Sequence, residues 1–361
     1  MRSAADGGVG AAVASLARGG MVVVTAADGL GGALVVAAEC VTERQVAFML
    51  AHTSGLVSVA MTPDRLDALD LPVMVAGSGP GGPVPYTVTV DARAGTSTGI
   101  SAGDRVRTIR ALVSPVTRPD DLARPGHVFP IRTDPGGVLH RRRPPEAALD
   151  LVDSAQRYPA AVVCDLVSTD RRRMASAEEA RGFAVSHGLV AVGVESVELH
   201  RHRSERLARR VARARIPTVH GSFTAYVYQW SLGDEEDLVL VRGPVAGRDR
   251  VPVAVHAECL VGDVFGSRGC SCSRRLDTSL RWIDRTGHGV LVYLRSSRSG
   301  LGASPVSCAA GGTPAAWLRG AHILRDLGIA SAVVAGEPAA AAVLGAVGIA
   351  AVPSGEPRPV G

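Results

Sequence analysis

Three thiols crowd one short stretch of this chain. "HAECLVGDVFGSRGCSCSRRL" (His256 to Leu276) holds Cys259, Cys270 and Cys272, half of the six cysteines in 361 residues. Their spacing is C-x10-C-x-C. A Cys-x-Cys pair at the end of a turn can point both sulfurs at one ion, and a third thiolate completes a facial set. Three thiolates suit zinc, and three protein ligands rather than four leave a coordination position open for water, the arrangement of catalytic sites. Read without metal, the stretch is three reduced thiols in a turn. His256 lies close enough in sequence to be a fourth ligand, which would close the site and make it structural. Six cysteines in a chain of this length do not make a disulfide framework.

Composition sets the frame. Apolar residues make up 46% and aromatics 4%, so the core must be built mainly from Ala, Val and Leu. Length calls for two domains. All 39 basic residues are arginine, so no lysine can form a Schiff base, act as a base or grip a phosphate. The net charge of +5 is too mild to demand nucleic acid. Arginines nevertheless cluster at 141–143, 171–173 and in "RHRSERLARRVARAR" (201–215). Glu205 and Arg209 sit four apart in that last run, with Leu207, Val211 and Ala214 on one helical side. The run reads as a solvated connecting helix, with a phosphate- or RNA-binding face as the other reading. The N-terminus carries no basic region followed by an unbroken apolar stretch, and "MVVVTAADGLGGALVVAA" is interrupted by Asp28 and glycines. A soluble, cytoplasmic protein with no membrane association is expected.

Several elements must position the thiols. "MVVVTAAD" and "GALVVAAE" read as strands; the glycines between them do not have dinucleotide-fingerprint spacing. A helix over 42–52 is capped by Thr42 with Gln45 three residues on. "VSVAMT", "YTVTVDA" and "AAVVCDLV" are strands. "PEAALDLVDSAQRY" and "SAEEARGFAVSHG" are helices, the second capped by Ser176 and ended at Gly188. Further on, "FTAYVYQWSLGDEEDLVLVRG" is a hairpin and "VPVAVHAECL" a strand. "CSRRLDTSLRWIDRTG" is a helix, "GVLVYLR" a strand, "AWLRGAHILRDLGI" a helix, and "ASAVVAG" and "GIAAVPS" weak strands. The expected fold class is α/β (α+β) in two domains, 1–202 and 214–361, joined by an arginine-rich linker helix over 203–213.

These stretches carry a resemblance. "HAECLVGDVFGS" with Cys270-Ser-Cys272, "RIPTVHGSFTAYVY" before it, and "GVLVYLR" and "GAHILRDLGI" after it resemble GTP cyclohydrolase II. In the first half "TSTGISAGDR" (Thr96 to Arg105), "RPGHVFPIR" (Arg124 to Arg132), "GGVLHR" and "AAVVCDL" resemble 3,4-dihydroxy-2-butanone 4-phosphate synthase. The two in this order are the bifunctional riboflavin-biosynthesis architecture, from about Ala17 to about Val352. The resemblance implies zinc on Cys259, Cys270 and Cys272. It also implies a homodimer, since the synthase family builds its site between two subunits. An active riboflavin-pathway homologue and a phosphorylated small molecule are further implied partners.

The chain departs from the family at its working residues. The synthase loop "RENEGD", whose carboxylates bind magnesium, stands here as Asp28-Gly-Leu-Gly-Gly-Ala33. The family's "GHTEA" is Arg143-Pro144-Pro145-Glu146-Ala147, so a proline replaces the histidine that binds magnesium. The family's cysteine after Gly55 is Ser58, and a glutamate is Asp165. Magnesium is therefore a doubtful cofactor. Thr98, Asp104, Arg105, His127 and Arg141 remain as candidate lining of a phosphate-accepting pocket. In the cyclohydrolase half, family arginines and a serine become Ala254, Ala257 and Gly269, and the glutamate of "QEGRG" becomes Ser297. Thr313 and Ala315 stand at the family's Asp-x-Arg pair. "TNNPxK" reads Ala335-Gly-Glu-Pro-Ala-Ala340. The expectation is a catalytically impaired paralogue that keeps fold and zinc. The alternatives are a repurposed zinc-dependent enzyme acting on a nucleotide or sugar phosphate, or residual pathway activity.

Overall fold

In the computed structural model of the protein, the residues described are 4–27, 29, 31–75, 83–232, 236–295, 313–335 and 338–354. The chain divides into two units, Met1–Arg201 and His202–Gly361.

The first unit runs α1 (Ala4–Ala17), β1 (Val22–Thr25), β2 (Gly32–Ala37), α2 (Glu43–His52), β3 (Ser58–Met61), α3 (Pro63–Ala68), β4 (Val90–Ala92), α4 (Ala102–Val113), β5 (Leu122–Arg132), α5 (Pro144–Ser154), β6 (Ala160–Asp165), α6 (Ala177–Ser186), β7 (Val190–Gly193) and α7 (Val194–Ser204). Its seven strands form one mixed sheet in the order β4-β5-β3-β6-β2-β1-β7. Alternation along the strands sends side chains to two separate cores. Val23, Leu34, Val36, Val59 and Val162 pack with Met49 of α2 and Ile109 of α4. Val22, Val24, Val35, Ala60 and Val163 pack with Leu16 of α1, Leu151 of α5 and Val197 of α7. The sheet is buried on both faces, which explains why its strands read as unbroken apolar runs. The Thr42 cap forms as expected: Gln45 N–H donates to Thr42 Oγ1 (3.3 Å), and Thr42 N–H donates to Gln45 Oε1 (3.0 Å).

The second unit continues with β8 (Ala208–Thr218), β9 (Gly221–Trp230), β10 (Glu236–Arg242), β11 (Val251–Ala257), α8 (Leu260–Asp263), α9 (Cys272–Thr286), β12 (Gly289–Leu294), α10 (Pro314–Asp326), β13 (Ser331–Val334), α11 (Pro338–Ala346) and β14 (Ala350–Pro353). Its sheet order is β14-β13-β11-β12-β10-β9-β8, antiparallel at the β8 end and parallel from β12 onward. On one face Ile283 of α9 joins Phe223, Leu240, Ala254 and Leu291. On the other face α10 approaches so closely that a Cβ on Gly320 would sit 3.1 Å from Val255 Cγ2.

The arginine run corrects the expected linker helix. Helix α7 ends at Ser204, and residues 208–218 form β8, paired along its length with β9. Residues 209–214 are all solvent-exposed, so no alternation of burial marks the strand in the sequence. Arg210 lies over the Tyr226 ring at 4.4 Å.

Under α10 sits a histidine relay. Arg325 Nη2 donates to His322 Nδ1 at 2.8 Å, so His322 carries its proton on Nε2 and donates from there to His202 Nδ1 at 2.9 Å. Burial, with Arg325 and His202 adding, holds His322 down at about 3 from the ordinary 6.5. The unfolded chain therefore takes up a proton below pH 6.5 that the folded chain refuses until pH 3. Stability is whole above the first value and is lost as pH falls toward the second. Urea unfolding should show wild type losing about 3 kcal/mol relative to His322→Gln between pH 7 and pH 4. Parallel profiles for the two proteins would refute the assignment.

Candidate functional site

The thiols meet where the parallel strands β11 and β12 end, the side of an α/β sheet on which sites gather. Cys259 follows β11 and caps α8. Cys270 precedes α9, and Cys272 is its first residue. All three Sγ atoms lie within 4.8 Å of one another, with Cys259 and Cys270 at 3.8 Å. Tetrahedral zinc with Zn–S of about 2.3 Å asks for sulfurs about 3.8 Å apart, so the set fits zinc. Crowding has a cost without the ion. Burial pushes the Cys259 thiol up to about 11, and the neighbouring sulfurs hold it there. Bound zinc would deprotonate these thiols and acidify a water at its remaining position. Arg275 Nη2 stands 3.6 Å from Cys272 Sγ, a cation beside the thiolate cluster.

His256 does not join the sulfurs. Among the described residues only the three thiols converge. His256 Nε2 faces both Asp263 oxygens at 3.0 Å. Asp263 also accepts from Cys259 N–H (2.9 Å) and from the Tyr293 hydroxyl (2.8 Å). Cross-strand pairing of His256 with Tyr293 stacks their rings at 5.4 Å. This buried network orients the Cys259 loop, and neither Asp263 nor Tyr293 stands out in the sequence. Only the Asp placed four residues after Cys259 could have hinted at it.

Gly262 sets the closeness. A Cβ there would lie 2.7 Å from Cys270 Sγ, 2.9 Å from Cys272 Cβ and 3.2 Å from Cys259 Sγ. Gly262→Ala should splay the sulfurs and lower zinc affinity by roughly 10- to 100-fold, the range seen when metal-supporting groups are altered. Competition with a chromophoric chelator measures it, and unchanged affinity would mean the loop yields freely.

The first unit holds a cavity of about 350 Å³. Its lining joins Ala26, Ala27, Gly31 and Gly32 of the β1–β2 turn with Ser58 of β3, Tyr86, Pro144 and Pro145 of α5, and Asp165 at the end of β6. Thus the positions matching the synthase family's loop, cysteine, histidine and glutamate do converge, as small or apolar residues and one carboxyl. Asp28 lies outside the described residues. Burial raises the pKa of Asp165.

The five candidate pocket residues lie elsewhere. Thr98 is exposed in the loop before α4. Asp104, buried in the first turn of α4, accepts from Ser97 Oγ (2.8 Å), Gly99 N–H (3.3 Å) and Arg107 (3.0 Å), which ties that loop down. Arg105 donates to Ile100 O and Gly55 O. His127 Nδ1 meets Asp91 Oδ2 at 2.7 Å while the His127 backbone N–H donates to Asp91 Oδ1 at 3.0 Å. Gly99 (φ +82°) lies against this pair, since a Cβ would fall 2.0 Å from Asp91 Oδ2. His127 and Asp91 thus pair beside Gly99, whose N–H is held by Asp104, and Asp91 is the member that the sequence reading missed. Arg141 stands apart in a buried ion pair with Glu146, Nη1 to Oε1 3.1 Å. None of the five lines the cavity; Arg142 and Arg143 do.

In the second unit, Thr313 caps α10 by accepting from Ala316 N–H (3.2 Å), so at the family's base position a hydroxyl serves the helix. Ser297, Gly336 and Glu337 lie outside the described residues.

Fold and site together define a two-unit α/β protein whose second unit gathers three thiols in a geometry compatible with a bound metal ion. The sequence pattern of 3,4-dihydroxy-2-butanone 4-phosphate synthase matches residues 10–199, and that of GTP cyclohydrolase II matches residues 209–307. The chain belongs to the riboflavin-biosynthesis family that joins these two domains. It is 46% identical over 287 residues to a "Riboflavin biosynthesis protein RibBA" of Nocardia farcinica, spanning 79% of this chain and 69% of that protein. It is 45% identical over 291 residues to the protein of that name in Mycobacterium bovis, covering 79% and 68%. A crystal structure described as RibBX, a two-domain 3,4-dihydroxy-2-butanone 4-phosphate synthase from A. baumannii, superposes with a TM-score of 0.80 at 30% identity, covering 96% of this chain and 99% of that one. Among the described residues no helix is long and apolar enough to cross a membrane.

Proposed function

We propose that this chain is a catalytically impaired paralogue of the bifunctional riboflavin proteins, one that keeps the fold and the zinc site and has a regulatory or partner role. The relatives' name points to the ordinary pair of reactions. The observation that carries the other reading is the cavity wall: Gly31 stands at a carboxylate of the family's loop and Pro144 at its histidine, Ala26, Ala27, Gly32 and Ser58 add no charge, and Asp165 is the one carboxyl among the described lining residues. Magnesium takes near-octahedral oxygen ligation. One half-buried carboxyl with a raised pKa and a proline in place of the histidine do not fit it. General acid–base groups act as a unit, and losing one commonly costs factors of about 10³ or more.

In the second unit zinc is the cofactor the thiols support, and in this reading it holds the 259–272 loop to α9. The chain forms a homodimer or pairs with an active homologue, and its small-molecule ligand carries a phosphate. A repurposed zinc-dependent reaction on a nucleotide or sugar phosphate is the second reading, favoured by one observation: among the described residues no fourth protein ligand closes the coordination sphere.

The test uses the purified full chain with ribulose 5-phosphate and magnesium, and with GTP on zinc-loaded protein. Turnover at least about 10³-fold below an active family member is expected for both. A rate within tenfold of that member for either substrate would overturn the reading.

A further inference from the structure

Among its described lining residues the first unit's cavity keeps one carboxyl and two arginines, is otherwise uncharged, and has not been filled. At about 350 Å³ it lies at the small end of ligand-binding cavities, which run from about 300 to 1,000 Å³. No larger side chain among the described lining residues closes it. Instead Val84, Ile131, Pro144, Pro145, Val163 and Met174 provide apolar walls around it. The hydroxyls of a sugar phosphate would find no partners on those surfaces, whereas a flat ring would bury its faces against them.

Among the described lining residues, polar side chains stand in two places. Ser58, Tyr86 and Asp165 line the cavity together, and Asp165 is near enough to act on Tyr86 electrostatically. The Tyr86 ring is braced edge-on by Phe129 at 6.4 Å. No side chain among the described residues hydrogen-bonds or ion-pairs with the Asp165 carboxyl, so a ligand group can be its partner. Arg142 and Arg143 supply positive charge to the same cavity, Arg142 sharing its charge with Glu198 at 2.9 Å.

We propose that this cavity binds a small planar aromatic or heteroaromatic monophosphate without a metal ion. The ring lies between the apolar walls. An amide-like edge pairs with Asp165 beside Tyr86 and Ser58, and the phosphate turns to Arg142 and Arg143. The inference rests on the reading of a silent synthase site and names what that site now takes. Burial of Asp165 favours its neutral form, which offers one donor and one acceptor, as an amide edge requires.

Titration calorimetry on the full, zinc-loaded chain in magnesium-free buffer tests it, with 4-carbamoylphenyl phosphate and ribulose 5-phosphate as probes of similar size and charge. The aryl phosphate should bind at least tenfold more tightly, with no change on adding magnesium. Asp165→Asn should retain affinity within about threefold, since the carboxamide offers the same donor and acceptor. Asp165→Leu should lose tenfold or more, and Ala26→Phe, filling the cavity, should abolish binding. Each variant is first matched to wild type in unfolding midpoint and zinc content; a variant that fails the match is replaced by Asp165→Val or Ala26→Leu. Tighter binding of ribulose 5-phosphate, strengthening by magnesium, loss in Asp165→Asn, or no aryl binding would each overturn the proposal. Turnover of ribulose 5-phosphate would instead overturn the silent-site reading beneath it. Absent turnover with absent aryl binding would sink this inference alone.

Discussion

Replacing Cys272 with alanine should strip zinc from the second unit and unfold much of it. Cys272 is 1% exposed and is the first residue of α9, the helix whose Ile283 fills the core under β9–β12. Its sulfur is one of three that would hold a zinc ion where the Cys259 loop, α8 and the start of α9 converge. Structural zinc contributes about 10–16 kcal/mol to the folding of small zinc domains at neutral pH. Removing one of three thiolates leaves a two-sulfur site, and an affinity loss of 10³-fold or more is expected, by several kcal/mol of lost ligation. Elemental analysis of purified protein should find little zinc. Calorimetry should find the second unit's transition lowered or lost while the first unit's, resting on its own two cores, stays in place. Full zinc occupancy in Cys272→Ala would show that the thiols do not form one site.

The next largest effect should come from Arg141. Its Nη1 meets Glu146 Oε1 at 3.1 Å, and the two side chains are 8% and 1% exposed. Glu146 Oε2 is buried with no hydrogen-bond partner. Desolvation raises Glu146 to about 7 from the ordinary 4.5, against the pull of Arg141. A carboxyl whose folded pKa lies above its unfolded value costs stability as pH rises through that interval, so the pair is under strain at pH 8 and relieved at pH 6. Arg141→Met leaves the carboxylate without this guanidinium and should cost about 3–5 kcal/mol at pH 8 and less at pH 6. Glu146→Gln alone should be near neutral, and the double variant should recover most of the loss, because the penalty belongs to the abandoned charge. Urea midpoints at the two pH values measure this. A loss in Arg141→Met that is independent of pH, or a double variant no better than the single, would assign Arg141 a role other than balancing Glu146.

Local pattern made much of the fold legible. The Thr42 and Ser176 capping boxes and the αL glycine Gly287 closing α9 mark helix ends in the sequence itself. The hairpin β9–β10 and the strands β11 and β12 follow from β-branched runs between turns. Three elements resisted. Helix α1 carries Gly7, Gly8 and Gly10, which disfavour helix, yet Val9, Ala12 and Leu16 are held in the core beneath the sheet. "YTVTVDA" reads as one strand, but only Val90–Ala92 joins the ladder, with isolated bridges at Tyr86 and Thr87. Strand β8 is an exposed edge whose only strand partner among the described residues is β9, so its arginines show a spacing that suits a helix surface equally well.

By itself the sequence determined the two-part ancestry, the three thiols and the loss of charged groups from the family's working positions, because residue types and short spacings are written along the chain. Only the tertiary structure decided what those losses left. The cavity is assembled from residues between Ala26 and Met174, and Asp263, Tyr293 and Gly262 reach the thiols through parallel pairing of β11 and β12 and the packing of α9. Whether a deleted side chain leaves a filled wall or an open space depends on what packs beside it from distant strands, and that is set by three-dimensional contact rather than by neighbours in the chain.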